Sequence, residues 1–521
     1  EVFQNSSNPV AIGGPLWWGQ SQTMSVSGSG TGDLSIGTLA YNDQGYFRLR
    51  STAAFNLNLG AVTVPGPRTA DIYNDMPAGT GKQITIGAIS FTNAATAPTF
   101  GLSGVGKTEV TGQLSDSAGG GGRFNFSPSS GGTVLLSNPA GAFSGTIDGA
   151  FQGGGTIDLG GATQAIRDLV YSGANATNGA VAVRNFHLDY GTVSIPISDG
   201  AGYNANIVKR DVTNNDSWIN TSCTHTGVTR LIASDITLQN SGSVNQSSIE
   251  FDVVPRNGED SRLILSNTAA NNADRISDTK PVTMNGGQLV LIGNGGAATP
   301  EDMGPVTFTR QAAIQVDAAA GGVASLTGDS LTRSNYGTFY VGGDGLGAAA
   351  GNVARVQFDT APAMTAGTPG TTSAPVVPWA TGYASYSDNW SPSAWFADML
   401  TYDAATGFRP LAVGEYILNN PAGGAGANNR IATSQNLAGA DVAMKSLAMV
   451  PAANGTYTLG GLGGETLTVT DGVIVSGRSN QGPANVISVT NLTFGPNSVT
   501  GYEGIIHSYS GQALTINSNI I

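Results

Sequence analysis

Short alternating apolar segments recur along the whole of this 521-residue chain, and almost none of it carries a helical period. DLSIGTLAY at 33–41, QITIGAISF at 83–91, AVAVRNFHLDYGTVSIPI at 180–197, RLILSN at 262–267 and ETLTVTDGVIVSG at 465–477 are typical. Each is a period-two run rich in β-branched residues and Leu, closed off by Gly, Asn, Ser or Asp, which reads as a strand between turns. The best helical candidate, ADVAMKSLAMV at 440–450, reads equally well as a strand with a turn. The runs return roughly every 20 to 30 residues in pairs or triplets, without a strict consensus. That spacing predicts an all-β chain, a right-handed parallel β-helix or β-solenoid whose coils each contribute two or three short strands. A sandwich chain of the immunoglobulin type is the rival. It would show modules of about 100 residues with similar beginnings and clear linkers, and no such modules stand out.

Composition agrees with the solenoid. Gly accounts for 75 residues and charged residues for only 11%, while the apolar share is 40%. Gly permits the positive φ values of tight corners. Asn, Ser and Thr can stack on their equivalents in neighbouring coils, and Val, Ile and Leu can form inner ladders. A charge on an inner ladder would repeat its desolvation cost along the stack, so few charges are expected.

The same numbers exclude several functions. The formal net charge is −13, and the five lysines (Lys82, Lys107, Lys209, Lys280 and Lys445) are scattered, so no basic patch for nucleic acid is expected. No run of 18 apolar residues spans a membrane as a helix. The single cysteine, Cys223, cannot close an intramolecular disulfide and has no partner for a zinc site. The start, EVFQNSSNPV, lacks a basic and then apolar leader, so an exported form would have its signal peptide already removed.

Candidate chemistry is sparse. GLSGVGKT places Gly101, Gly106, Lys107 and Thr108 at phosphate-loop spacing. The motif needs a buried strand before it and a helix after it. FTNAATAPTF precedes it with Pro98, and EVTGQLSDSAGGGG follows it, so a solenoid corner is the better reading. His187, His225 and His507 lie far apart and have no ligand-spaced neighbours. Carboxylates gather at Asp33/Asp43, Asp71/Asp75, Asp252/Glu259/Asp260 and Glu301/Asp302; the turn with Arg256, Glu259, Asp260 and Arg262 reads as solvated and salt-bridged rather than catalytic. No catalytic residue, cofactor or metal site is therefore expected. Trp379, Tyr383, Tyr386, Trp390 and Trp395 crowd one Pro- and Trp-rich stretch and are candidate glycan contacts, or anchors of a flap on the solenoid.

The order NGGQLVLIG, MGPVTFTRQAAIQV, LTGDSLTRSNYGTFYVGGDGLG, VQFDTAP, VVPWA and WFADMLTYDAATGFRPL, about 284–418, resembles the autotransporter-associated β-strand repeat family. The resemblance implies a β-helical, secreted or cell-surface bacterial protein, usually without enzymatic activity, and brings no catalytic residues with it. The end, ALTINSNII, lacks the longer strands and aromatic girdles of an outer-membrane barrel. Three regions are expected: a solenoid over 1–283, a repeat-like region over 284–430 with its flap at 361–430, and further coils over 431–521. A non-enzymatic structural protein or adhesin follows, with carbohydrate binding or polysaccharide degradation as the alternative. Uncharged, apolar ends predict head-to-tail homopolymers through residues 1–20 and 505–521. The contacts would be Pro15, Leu16, Trp17 and Trp18 on one side and Ile505, Ile506, Leu514, Ile516, Ile520 and Ile521 on the other.

Overall fold

The structure, a computed structural model, describes the chain except residues 1, 19–21, 42–46, 65–68, 78, 93–97, 117–120, 146, 211–215, 254–260, 387–396, 452–455, 478–484, 496–501 and 509–513. The described residues are almost entirely strand and turn, and most strand pairs are parallel. The chain divides into two compact units. One comprises Glu1–Glu250, Val254–Ser261 and Arg275–Ser277, the other Phe251–Val253, Arg262–Asp274 and Asp278–Ile521.

In the first unit the chain passes back and forth between two parallel sheets as far as Ala180. One sheet stacks Leu34, Leu57, Ile84, Thr108, Val134, Ile157 and Ala176 as successive register partners. All seven are buried. Thr108 is the polar exception, and its hydroxyl oxygen accepts from Asn74 Nδ2 at 3.3 Å, which offsets its burial.

The other sheet carries two inner ladders. Ala70, Phe100, Phe124, Gly149, Leu169, Phe186 and Ile207 form one. Leu49, Ile72, Leu102, Phe126, Phe151, Tyr171 and Leu188 form the other. Period-two alternation explains the sorting: in TADIYN, TFGLSG and RFNFSP the even positions point inward and the odd ones outward. Phe126 and Phe151 stack with centroids 5.9 Å apart, and Phe124 packs against Phe91, Phe100 and Phe143 at 5.0, 6.1 and 5.6 Å.

Outward charges pair across neighbouring strands. Arg48 meets Asp71 at 3.0 Å, Arg167 meets Asp148 at 2.8 Å, Arg184 meets Asp168, Arg210 meets Asp189 at 3.0 Å and Arg230 meets Glu250 at 2.8 Å. Each pair keeps its arginine partly exposed, though Asp71 itself is buried, and a pair of this kind contributes at most about 1 kcal/mol. Their common service is to favour one register over its slipped neighbours.

The long strand Ala180–Val193 changes the pattern. Its residues 181–183, 185–188 and 191–193 pair in parallel with Ile197–Asp199, Asn206–Lys209 and Ser217–Ile219 in turn. One strand is thus answered by three short ones.

The second unit continues in threes. Arg262–Ser266, Gln288–Ile292, Gln311–Asp317, Thr338–Gly343 and Ala380–Tyr383 pair in parallel succession. Ala298–Met303, Val323–Arg333 and Val353–Thr360 make a second series, and Val282–Asn285 with Val306–Thr309 leads a third. The parallel order then breaks inside the Pro- and Trp-rich stretch: Ala380–Tyr383, Asp398–Asp403 and Gly407–Pro410 pair antiparallel. Ala374, Val376, Met399, Leu411 and Tyr416 of this stretch share one buried cluster with Ala313, Tyr340, Ala448, Val473 and Val475.

Beyond it the chain visits three four- or five-stranded parallel sheets in fixed rotation. Asn428–Ile431, Gln435–Asn436 and Val442–Met444 are followed by Ser446–Met449, Thr458–Gly460 and Thr466–Val469, then by Val473–Ser476, Asn485–Ser488 and Asn491–Phe494. Ile505–Ser508, Leu514–Ile516 and Asn519–Ile520 complete the sheets. Residues 440–450 are the strands Val442–Met444 and Ser446–Met449, not a helix.

Candidate functional site

A polar groove of about 330 Å³ opens on the outward face of the first unit. Three parallel strands, Thr69–Asn74, Thr99–Gly104 and Arg123–Pro128, lie side by side in register there. The inward Ala70, Ile72, Phe100, Leu102, Phe124 and Phe126 fix them to the core. Their outward partners are Asp71, Gly101 and Asn125 in one row and Tyr73, Ser103 and Ser127 in the next. Thr69, Thr99 and Ser129 extend the lining. The groove exists because Gly101 occupies the central position. A Cβ there would meet only ordinary contacts, Asp71 Cβ at 3.4 Å and the Asn125 carbonyl at 3.7 Å, so its absence leaves open space rather than relieving a clash.

One wall is held firmly. Arg48 donates from Nε and Nη2 to Asp71 Oδ2 at 3.2 and 3.0 Å, and Arg50 Nε donates to Asp75 Oδ2 at 2.5 Å. Both guanidiniums lie over the Tyr73 ring, 5.1 and 5.8 Å from its centroid. At the floor, Asn125 Oδ1 has no hydrogen-bond partner among the described residues. This set can hold a ligand by hydrogen bonds and ring contact.

The phosphate-loop pattern borders this groove but is built differently from a nucleotide site. Thr99–Gly104 and Lys107–Val110 are strands joined by a two-residue turn, and no helix follows Gly106. Asn74 closes the turn: its Nδ2 donates to the Lys107 carbonyl at 2.7 Å, and its backbone carbonyl accepts from Gly106 N–H at 2.9 Å. A Cβ on Gly106 would sit 2.4 Å from Asn74 Oδ1. Gly106→Ala is therefore expected to lower stability by about 1–3 kcal/mol, and Lys107→Ala, which loses only a long exposed contact to Glu109, by no more than about 0.5 kcal/mol. Urea titration of the two variants checks this.

The other sequence candidates are dispersed. Trp379 is buried, its ring 5.2 Å from Phe308 and 6.4 Å from Phe339. Tyr383 is exposed on Ala380–Tyr383, and Tyr386 N–H donates to Asp344 Oδ1 at 2.9 Å. Trp390 and Trp395 lie outside the described residues, as do Arg256, Glu259 and Asp260. Charged groups of the same stretch are spent on one another. Glu415 takes a two-pronged bond from Arg409 at 2.7 and 2.8 Å and N–H donors from Gly370 and Ala412, which together hold its carboxyl down at about 2 against the opposing effect of burial. Asp398 accepts from the Tyr416 hydroxyl at 2.5 Å and from Arg430 at 2.7 Å; burial raises its pKa and the Arg430 charge works against that.

Two of the remaining titratable candidates, Cys223 and His225, are sealed, while His187 is half-buried on the outward side of its strand. Burial pushes the Cys223 thiol up to about 12, which leaves it inert. His225 bonds Thr229 Oγ1 at 2.9 Å, Thr229 meets Ser247 at 2.9 Å, and all three are wholly buried. Among the described residues no group of three His, Cys, Asp or Glu side chains could hold a metal ion, and no helix is long and apolar enough to cross a membrane.

The expected assembly residues occupy strand edges. Pro15, Leu16, Trp17 and Trp18 belong to Val10–Trp18, the edge strand of its sheet; Trp17 is 68% exposed. Pro15 brings no N–H to that edge, and the pairing with Leu34–Tyr41 slips between Ile12 and Pro15. Ile505 is buried and Ile506 exposed; Leu514 and Ile516 are half-buried, and Ile520 and Ile521 are 63% and 69% exposed. The groove is what sequence reasoning missed. Its signal was the shared phase of TADIYN, TFGLSG and RFNFSP with a glycine at one outward position. No protein-family model, curated protein or solved structure matches the chain.

Proposed function

We propose that this chain is a non-enzymatic, extracellular or cell-surface structural protein of bacterial type: a parallel β-solenoid that joins head to tail with its own copies into a filament or surface layer. The supporting observation is the fixed rotation of strands through parallel sheets, which leaves Ile505–Ser508, Leu514–Ile516 and Asn519–Ile520 together at sheet edges. These edges carry none of the Lys, Glu or Pro residues that blunt open strands. Val10–Trp18 offers another parallel-sheet edge, blunted at Pro15, so pairing between copies is heterologous, of the kind that builds rings or open filaments.

The test is a double variant, Ile506→Lys with Ile520→Lys. Both side chains are exposed, so the fold is expected to survive. Sedimentation velocity should show large assemblies for the unaltered chain and a monomer for the variant. A monomeric unaltered chain at micromolar concentration defeats the proposal, and so does a variant that assembles as before.

A further inference from the structure

We infer that the groove around Gly101 is a binding site for a neutral oligosaccharide. It lies within the first unit and does not depend on the self-assembly reading. Its volume of about 330 Å³ falls at the lower end of the range for small-ligand sites, about 300–1,000 Å³. A saccharide needs an apolar ring to lie against and many hydrogen-bonding groups around its edge, and both are present.

Tyr73 supplies the ring. Arg48 and Arg50 stand on the strand to one side of it, Gly101 and Ser103 on the strand to the other. The guanidiniums over the ring limit its freedom, which reduces the ordering cost of binding. Ser103, Ser127 and Asn125 supply hydroxyl and amide groups that can both donate and accept. The side-chain Oδ1 of Asn125 is buried without a hydrogen-bond partner, and a half-turn of the amide about χ2 would exchange it with Nδ2.

Charge selects the neutral class. The two arginines on the Tyr73 side of the groove each already have a carboxylate, Asp71 at 3.0 Å and Asp75 at 2.5 Å, whereas Arg123 stands outward at the end of the Thr69 and Thr99 row. An anionic ligand would have to displace those partners, and Asp71 in the lining would repel it. Neutral hydroxyls can instead donate to the carboxylate without breaking the ion pair.

Calorimetric titration of the full chain with cellohexaose, laminarihexaose, the hexamer of N-acetylglucosamine and hexagalacturonate tests the inference. At least one of the three neutral hexamers should bind. Gly101→Thr fills the groove with a residue suited to strands and should weaken that binding at least about tenfold while leaving the urea midpoint and the assembly state unchanged. Tyr73→Ala should weaken binding comparably, with some loss of stability from its ring contacts, whereas Tyr73→Phe, which keeps the ring, should stay within about threefold. The inference is overturned if no neutral hexamer binds, if only hexagalacturonate binds, or if binding survives Gly101→Thr.

Discussion

Phe124→Ala is expected to destabilise the first unit by about 3–5 kcal/mol, read as a fall in its urea midpoint. The side chain is fully buried, and its ring touches Phe91, Phe100, Phe126 and Phe143 with centroids 5.0 to 6.1 Å apart. Truncation removes those contacts and leaves a cavity that neighbouring strands, pinned above and below by ladder hydrogen bonds, cannot close. Gly149 is the register partner on one side, and so supplies no side chain to fill the gap. Tyr336→Ala is the comparison: that residue is 81% exposed, and its loss should cost no more than about 0.5 kcal/mol. Equal effects from the two changes would contradict the inner-ladder account.

Acid should weaken both units well before most carboxylates titrate. His225 in the first unit and His507 in the second are buried, and burial lowers both to about 4 from an ordinary 6.5. Burial outweighs the other influences: Asp199 raises His225, and for His507 the contact of Nε2 with the Pro378 carbonyl at 3.1 Å raises it while Arg333 lowers it. The folded state keeps both rings neutral while the unfolded chain takes up protons below about 6.5. Stability is therefore full above pH 6.5 and falls as pH drops toward 4, by about 3 kcal/mol for each histidine. Glu415, held at about 2 against an ordinary 4.5, adds its loss only between pH 4.5 and 2. Urea midpoints measured across this range should begin to fall near pH 6.5. A flat profile down to pH 4.5 would contradict the buried, neutral assignment of the two rings.

Much of the strand pattern was legible because alternation is a local property. QITIGAISF coincides with the strand Gln83–Phe91, and ETLTVTDGVIVSG contains Thr466–Val469 and Val473–Ser476. Register was not legible. Partners such as Leu34, Leu57, Ile84 and Thr108 are separated by unequal lengths of chain, since turns of different size absorb the difference. Without register, Gly101 could not be placed between Asp71 and Asn125, and the groove could not be drawn. The break at 361–430 was visible as a change of composition, but its antiparallel pairing depends on contacts distant in sequence, such as Tyr402 donating from its hydroxyl to the Phe358 carbonyl at 2.7 Å. The GLSGVGKT pattern shows the opposite failure. A short expression matched, and Asn74, more than 30 positions away from Thr108, decides the local structure.

The central proposal is that the parallel strand stacking continues from one copy to the next. Electron cryomicroscopy of the assembled protein tests it most directly, through the power spectrum of the particles. Stacked strands running across the assembly axis predict elongated particles with a strong meridional reflection near 4.8 Å. Compact single-copy particles, or assemblies without that reflection, would contradict it.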